Sequence, residues 1–217
     1  VIVDAYLKNI TAGIDWALAY EAIVKDAEVE PADWNLEGRG GLASWKELGY
    51  IPTENLDTSG TGLETRSISR TVEYAYNDFC ISTLARALGH GADAAKYLGR
   101  SANWKNMFNP AQRSVVAGAD TGFAGFLQPR YQNGSFGVQD PVFCSPLQNF
   151  TGCYLNPAGG ETYEGPVWLY TLYAPGDMAG LMATLGGTDA FVARLDWLHS
   201  SGILYVGDEQ AFLTLFL

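Results

Sequence analysis

In the stretch SISRTVEYAYNDFCISTLARALG (residues 67–89) apolar side chains return with the pitch of a helix. They fall at Ile68, Val72, Ala75, Tyr76 and Phe79, and again at Leu84, Ala87 and Leu88. That period predicts a long α-helix with a buried face. Ser67 or Ser69 is the expected cap at its start, and Gly89 suits its end. GIDWALAYEAIVKDAEV repeats the pattern through Trp16, Tyr20, Ile23, Val24 and Ala27. ADAAKYLGRSANWKNMF reads as one helix stopped before Asn109-Pro110. TDAFVARLDWLHS, with Thr188 as cap, and DMAGLMATLGG add two more. No strand-helix-strand alternation appears. The expected class is mostly α, an array of helices joined by long polar, Gly-rich connections at 35–66 and 117–165.

The chain has 217 residues, 47% of them hydrophobic, enough for one core. It holds no apolar run of the roughly 18 residues that a membrane span needs. With 13 basic against 24 acidic residues the net charge is −11, which speaks against nucleic acid as a partner. A neutral ligand fits better. Aromatic residues make up 13%, with six tryptophans, and flat faces of that kind stack on sugar rings as readily as they fill cores. VIVDAYLKNI is neither a methionine start nor a signal peptide, and AFLTLFL stops in mid-run. The expectation is an internal piece of a longer polypeptide.

Three Asn-x-Ser/Thr acceptors occur, at Asn9, Asn133 and Asn149. Cys144 and Cys153 flank the third, in a Pro-, Gly- and Asn-rich stretch where a short disulfide loop is plausible. Together they lean towards secretion. Cys80 falls in a helical pattern and reads as a buried free thiol. His90 and His199 stand at helix ends without a ligand pattern, so structural roles are expected for both. Nucleotide-binding and serine-nucleophile signatures are lacking.

Carboxylates among aromatics remain, and these suit glycosidic bond cleavage. In YEGPVWLYTLYAPGD (163–177), Glu164 has Tyr163, Val167, Trp168 and Tyr170 close in sequence. Apolar surroundings disfavour the charged carboxylate and keep an acid able to donate. A glutamate just before a helix can equally serve as a cap or dipole partner.

RTVEYAYNDFC, YEGPVWLYTLYAPGD and LGGTDAFVARLDWL resemble glycoside hydrolase family 92. DAYLKNITAGIDWALAYEAIVKDAEVEP, EGRGGLASWKELGYIP, SANWKNMFNP and the GF…QPR stretch are similar to its fungal members. The resemblance covers nearly the whole chain in order. It implies part of an (α/α)6 toroid and an exo-acting, calcium-dependent α-mannosidase that inverts configuration on mannose-containing glycans. It puts the general acid at Glu164 and the motif's tryptophan at Trp168. Glu209 is expected near the bound sugar, and Arg39 and Asp177 at substrate-contacting positions. Ion pairing within the fold is an equal reading for Arg39, as packing is for Trp168. The chain departs from the family at Pro166-Val167, at Gly176 where a histidine is usual, and at Gln210.

The family's catalytic base would lie beyond Leu217, and its β-sandwich and Trp-Asp-Thr segment before Val1. Residues 1–217 are thus expected to be a partial catalytic domain, inactive without the rest of the polypeptide. No calcium ligand can be named from this stretch. The competing expectation is a mannose-binding or structural protein that keeps the fold without turnover.

Overall fold

The computed structural model describes residues 1–34, 36–55, 66–153 and 160–217. Helices dominate. In chain order they are α1 (Ile2–Leu7), α2 (Trp16–Glu28), α3 (Leu42–Leu48), α4 (Ser67–Ala87) and α5 (Gly91–Ser101). A 3-10 turn, Ala102–Met107, leads into β1 (Phe108–Val116) and β2 (Ala119–Leu127). Three helices follow, α6 (Val167–Tyr170), α7 (Met178–Thr184) and α8 (Thr188–Ser200), then a 3-10 turn at Glu209–Leu215. None of the described helices is long and apolar enough to cross a membrane.

α4 is the axis of the fold. Its first half buries Ile68, Val72 and Ala75 in a cluster with Trp45, Trp104, Phe126, Trp168 and Leu172. Its second half buries Ile81, Leu84 and Ala85 against Tyr20, Ala27 and Tyr97 of α2 and α5. A helix with both halves covered also buries polar residues, and Asp78 is one that is fully paired. Asp78, fully buried, accepts from Arg39 Nη1 and Arg100 Nε, each at 2.7 Å, and from Trp45 Nε1 at 3.2 Å. Glu28 takes Arg100 Nη1 at 2.7 Å, Lys96 at 2.8 Å and Lys46 at 2.9 Å. Burial alone would raise the Glu28 carboxyl, but the surrounding donors outweigh it and hold it down at about 2.

Several local expectations are corrected. Neither Ser67 nor Ser69 caps α4. Both hydroxyls donate to carbonyls instead, Ser67 to Ile51 O at 2.6 Å and Ser69 to Arg66 O at 3.3 Å. Thr188 is the first residue of α8 and makes no cap, whereas Asp15, unforeseen, caps α2 through the Ala17 and Leu18 amides. The single helix expected over 92–108 ends at Ser101 and gives way to the 3-10 turn. The short helices α1 and α3 were not anticipated.

The antiparallel β1–β2 ribbon is the other addition. Val116 faces Ala119 across a two-residue turn whose residues, Ala117 and Gly118, both have positive φ (49° and 82°). That is the twist of a type I′ hairpin. The ribbon turns Phe126 and Leu127 into the main core, where Trp168 lies across them.

Candidate active site around Glu164

Glu164 sits on the approach to α6 with φ +54°. A side chain in that left-handed region costs about 1–2 kcal/mol, so the surrounding contacts must hold it there. They do so from both sides. Upstream, Glu161 is fastened to the first turn of α4: its carbonyl accepts from Ile68 and Ser69 N at 3.0 and 3.2 Å, and its carboxylate from Ser67 N at 3.0 Å. Gln139 holds Glu161 and Thr162 from behind, accepting the Glu161 amide at 2.6 Å and donating to Thr162 Oγ1 at 2.9 Å. Immediately before Glu164, the Tyr163 carbonyl accepts from the buried Tyr170 hydroxyl at 2.6 Å.

Downstream, Gly165 admits a close approach. A Cβ there would come within 3.1 Å of Leu169 and 3.9 Å of the Gln210 Cβ. The 209–215 turn therefore passes beside the acid, joining two segments that are far apart in sequence. Glu209 itself is exposed. The Gln210 Oε1 is buried with no donor among the described residues.

The polar surroundings are unusual. Arg66, the residue preceding α4, lays its guanidinium over the Tyr163 ring at 4.5 Å. Burial and the neighbouring Glu164 carboxylate push the Tyr163 phenol up. Tyr170, wholly enclosed, is pushed well up by burial and by the charges of Glu73 and Glu164. Glu73 projects from α4 towards the same tyrosines, and burial pushes its carboxyl up to about 7. Neither Arg66 nor Glu73 was singled out from sequence. The one available signal was an acid placed inside the buried run of α4.

The other expected site residues are occupied elsewhere. Trp168 is fully buried, enclosed by Phe123, Phe126 and Trp197, with Nε1 donating to Ser114 Oγ at 2.7 Å. It offers no face to a ligand in this chain. Arg39 is locked to Asp78 and borders a separate cavity of about 460 Å³ between α1, α2 and α4. Asp177 caps α7 through Gly180 N at 3.1 Å and pairs with Lys105 at 2.7 Å. The neighbouring Gly176 has a physical reason. A Cβ there would stand 2.5 Å from Phe79 Cγ, so the histidine usual at this position has no room.

Cys144 and Cys153 are joined, their Cα atoms 5.8 Å apart. Asn9, Asn133 and Asn149 are all exposed. Cys80 is a free, half-buried thiol whose pKa burial raises. His90 stacks on Tyr20 with centroids 4.3 Å apart, and His199 Nε2 meets Thr214 O at 3.2 Å. Among the described residues no group of three or more His, Cys, Asp or Glu side chains could hold a metal ion. Calcium takes six to eight oxygens, and no calcium ligand is assigned among the described residues.

A family model described as the glycosyl hydrolase family 92 catalytic domain matches residues 1–217. The chain belongs to glycosyl hydrolase family 92. A curated relative from Arthroderma benhamiae, named an uncharacterized secreted glycosidase, is 56% identical over all 217 residues, which span 28% of its length. A family 92 α-mannosidase structure from Bacteroides thetaiotaomicron is similar with a TM-score of 0.73 at 25% identity, over 99% of this chain and 24% of that one. The structure of a family 92 inverting mannosidase from the same organism is similar with a TM-score of 0.70 at 26% identity, over 91% and 22%. A third match, at a TM-score of 0.72 and 25% identity, is an α-mannosidase in complex with mannoimidazole, over 99% and 26%. The mostly-α family 92 fold is thus that of this chain, and the toroid assignment rests on these likenesses.

Proposed function

We propose that the chain is the acid-bearing part of a secreted, exo-acting α-mannosidase that removes terminal mannose from glycans with inversion. Glu164 is the general acid. The observation that carries this reading is its setting, a carboxyl on a left-handed backbone clamped by Glu161 and Tyr170 in a chain matched throughout by the family 92 model. Strain of this sort clusters where a group has to be presented in one pose.

In this reading Glu164 gives its proton to the glycosidic oxygen as the bond breaks. A base on the opposite face of the sugar activates water, about 6.5–9.5 Å from the acid. We assign that base to another part of the polypeptide. Glu209, next to Gln210 beside the acid, is a sugar contact this chain would add. Arg39, Asp177 and Trp168 shape the scaffold in this chain. Secretion is supported by the relative's name, by the exposed Asn9, Asn133 and Asn149 and by the 144–153 disulfide.

The test is the stereochemistry of the product. Full-length protein incubated with an α-mannoside should release β-mannose first, seen by proton NMR before mutarotation. Initial α-mannose would overturn the inverting mechanism. Mannoside binding without release would favour a binding protein.

A further inference from the structure

Arg66 is a cation beside the segment that carries Glu164, its guanidinium lying over Tyr163. Its guanidinium makes no hydrogen bond with any described residue, and no described carboxylate lies within ion-pairing distance of it. Its Nε is buried and lacks an acceptor. The side chain is nonetheless held in place. Its plane covers the Tyr163 ring at 4.5 Å, and its backbone takes the left-handed region at φ +43°. Other cations of the core contrast with it: Arg39 and Arg100 spend their donors on Asp78, and Arg130 on the Gly134 and Asn106 carbonyls. A fixed guanidinium with idle donors beside a proton-donating carboxyl is equipped to receive hydroxyl oxygens.

We infer that Arg66 binds the leaving-group sugar, donating hydrogen bonds to its hydroxyls and so selecting a glycan over a simple aglycone. This rests on the proposed role of Glu164. The side of the bond follows from charge. As an α-mannoside breaks, positive charge gathers on the ring being released from the glycan, and a cation facing that ring would oppose the reaction. On the leaving side the oxygen and then the Glu164 carboxylate become more negative, and the same cation is favourable.

The test compares two substrates in full-length protein, an α-linked mannobiose and an aryl α-mannoside with a good leaving group. Arg66→Met keeps the stem on Tyr163 and removes the donors and the charge. It should lower kcat/KM for mannobiose by about ten- to a hundredfold, chiefly through KM, the scale of one or two lost charged hydrogen bonds. The aryl mannoside should change by no more than about twofold, and Arg66→Lys should recover part of the loss. Mannobiose cleavage within twofold of wild type, or equal loss on both substrates, would overturn the inference. If Arg66→Met does not fold, Arg66→Lys alone decides by the same mannobiose-to-aryl ratio. Glu164→Gln run in parallel separates the two readings. Should it leave mannobiose cleavage intact, the acid role fails and this inference with it. Should it abolish cleavage while Arg66→Met spares it, only the Arg66 inference fails.

Discussion

The Glu161 carboxylate accepts the Ser67 amide at 3.0 Å, tying the loop that carries Glu164 to the first turn of α4. Because the Glu161 carbonyl takes the next two amides, one residue from 94 positions away satisfies the helix start that neither Ser67 nor Ser69 caps. Removing this acceptor by Glu161→Ala should cost about 1–2 kcal/mol, the scale of a lost N-cap. Glu161→Gln keeps an oxygen acceptor and should cost less. Urea unfolding measures both. Equal stability of wild type and the Ala variant would show that the clamp contributes nothing.

Asp78 is fully buried between Arg39 and Arg100. Asp78→Ala strands the buried Arg39 guanidinium and leaves Arg100 with Glu28 as its carboxylate partner, and should cost about 3–5 kcal/mol. Thermal unfolding should show a fall of many degrees, and a shift of one or two degrees would contradict the pairing described.

Glu73 has a folded pKa of about 7, above the ordinary carboxylate value, because burial disfavours its charge. The folded state therefore binds the Glu73 proton more tightly than the unfolded state does. Its contribution is fully present below the unfolded pKa and is lost as pH rises through about 7, worth up to about 3 kcal/mol. Glu73→Gln, neutral at every pH, should flatten the stability profile between pH 5 and 8. A profile that falls as steeply in the variant would assign the dependence to other groups.

Gly176 faces Phe79 so closely that any Cβ collides. Gly176→Ala should destabilise by about 1–3 kcal/mol. In the Phe79→Ala background the same change should cost clearly less, because the colliding ring is gone. Additive effects in the four-member cycle would show that the ring is not what excludes a side chain there.

The long helices were legible because one buried stripe repeats through each of them, as at Ile68, Val72 and Ala75 or at Tyr20 and Ala27. The hairpin was not. Its turn is Ala117-Gly118 rather than Asn-Gly or Asp-Gly, and Asn109-Pro110, read as a helix stop, lies inside β1. For Trp168 the sequence leaves a substrate-facing role and packing equally open, because its motif neighbours Glu164. One helical turn suffices to swing it into the core, where Ser114 of the unforeseen ribbon takes its Nε1. Arg66 and Glu73 were invisible for a related reason. Their meaning depends on Tyr163 and Tyr170, which only the folded chain brings to α4.

The most direct measurement of the acid role is the leaving-group dependence of Glu164→Gln in full-length protein. An amide cannot donate a proton to the departing oxygen, so kcat/KM on a natural mannobioside should fall by about a hundredfold or more. An aryl mannoside whose leaving group departs unaided should lose far less, and mannoside binding should persist. Equal losses on both substrates, or none on either, would contradict Glu164 as the proton donor.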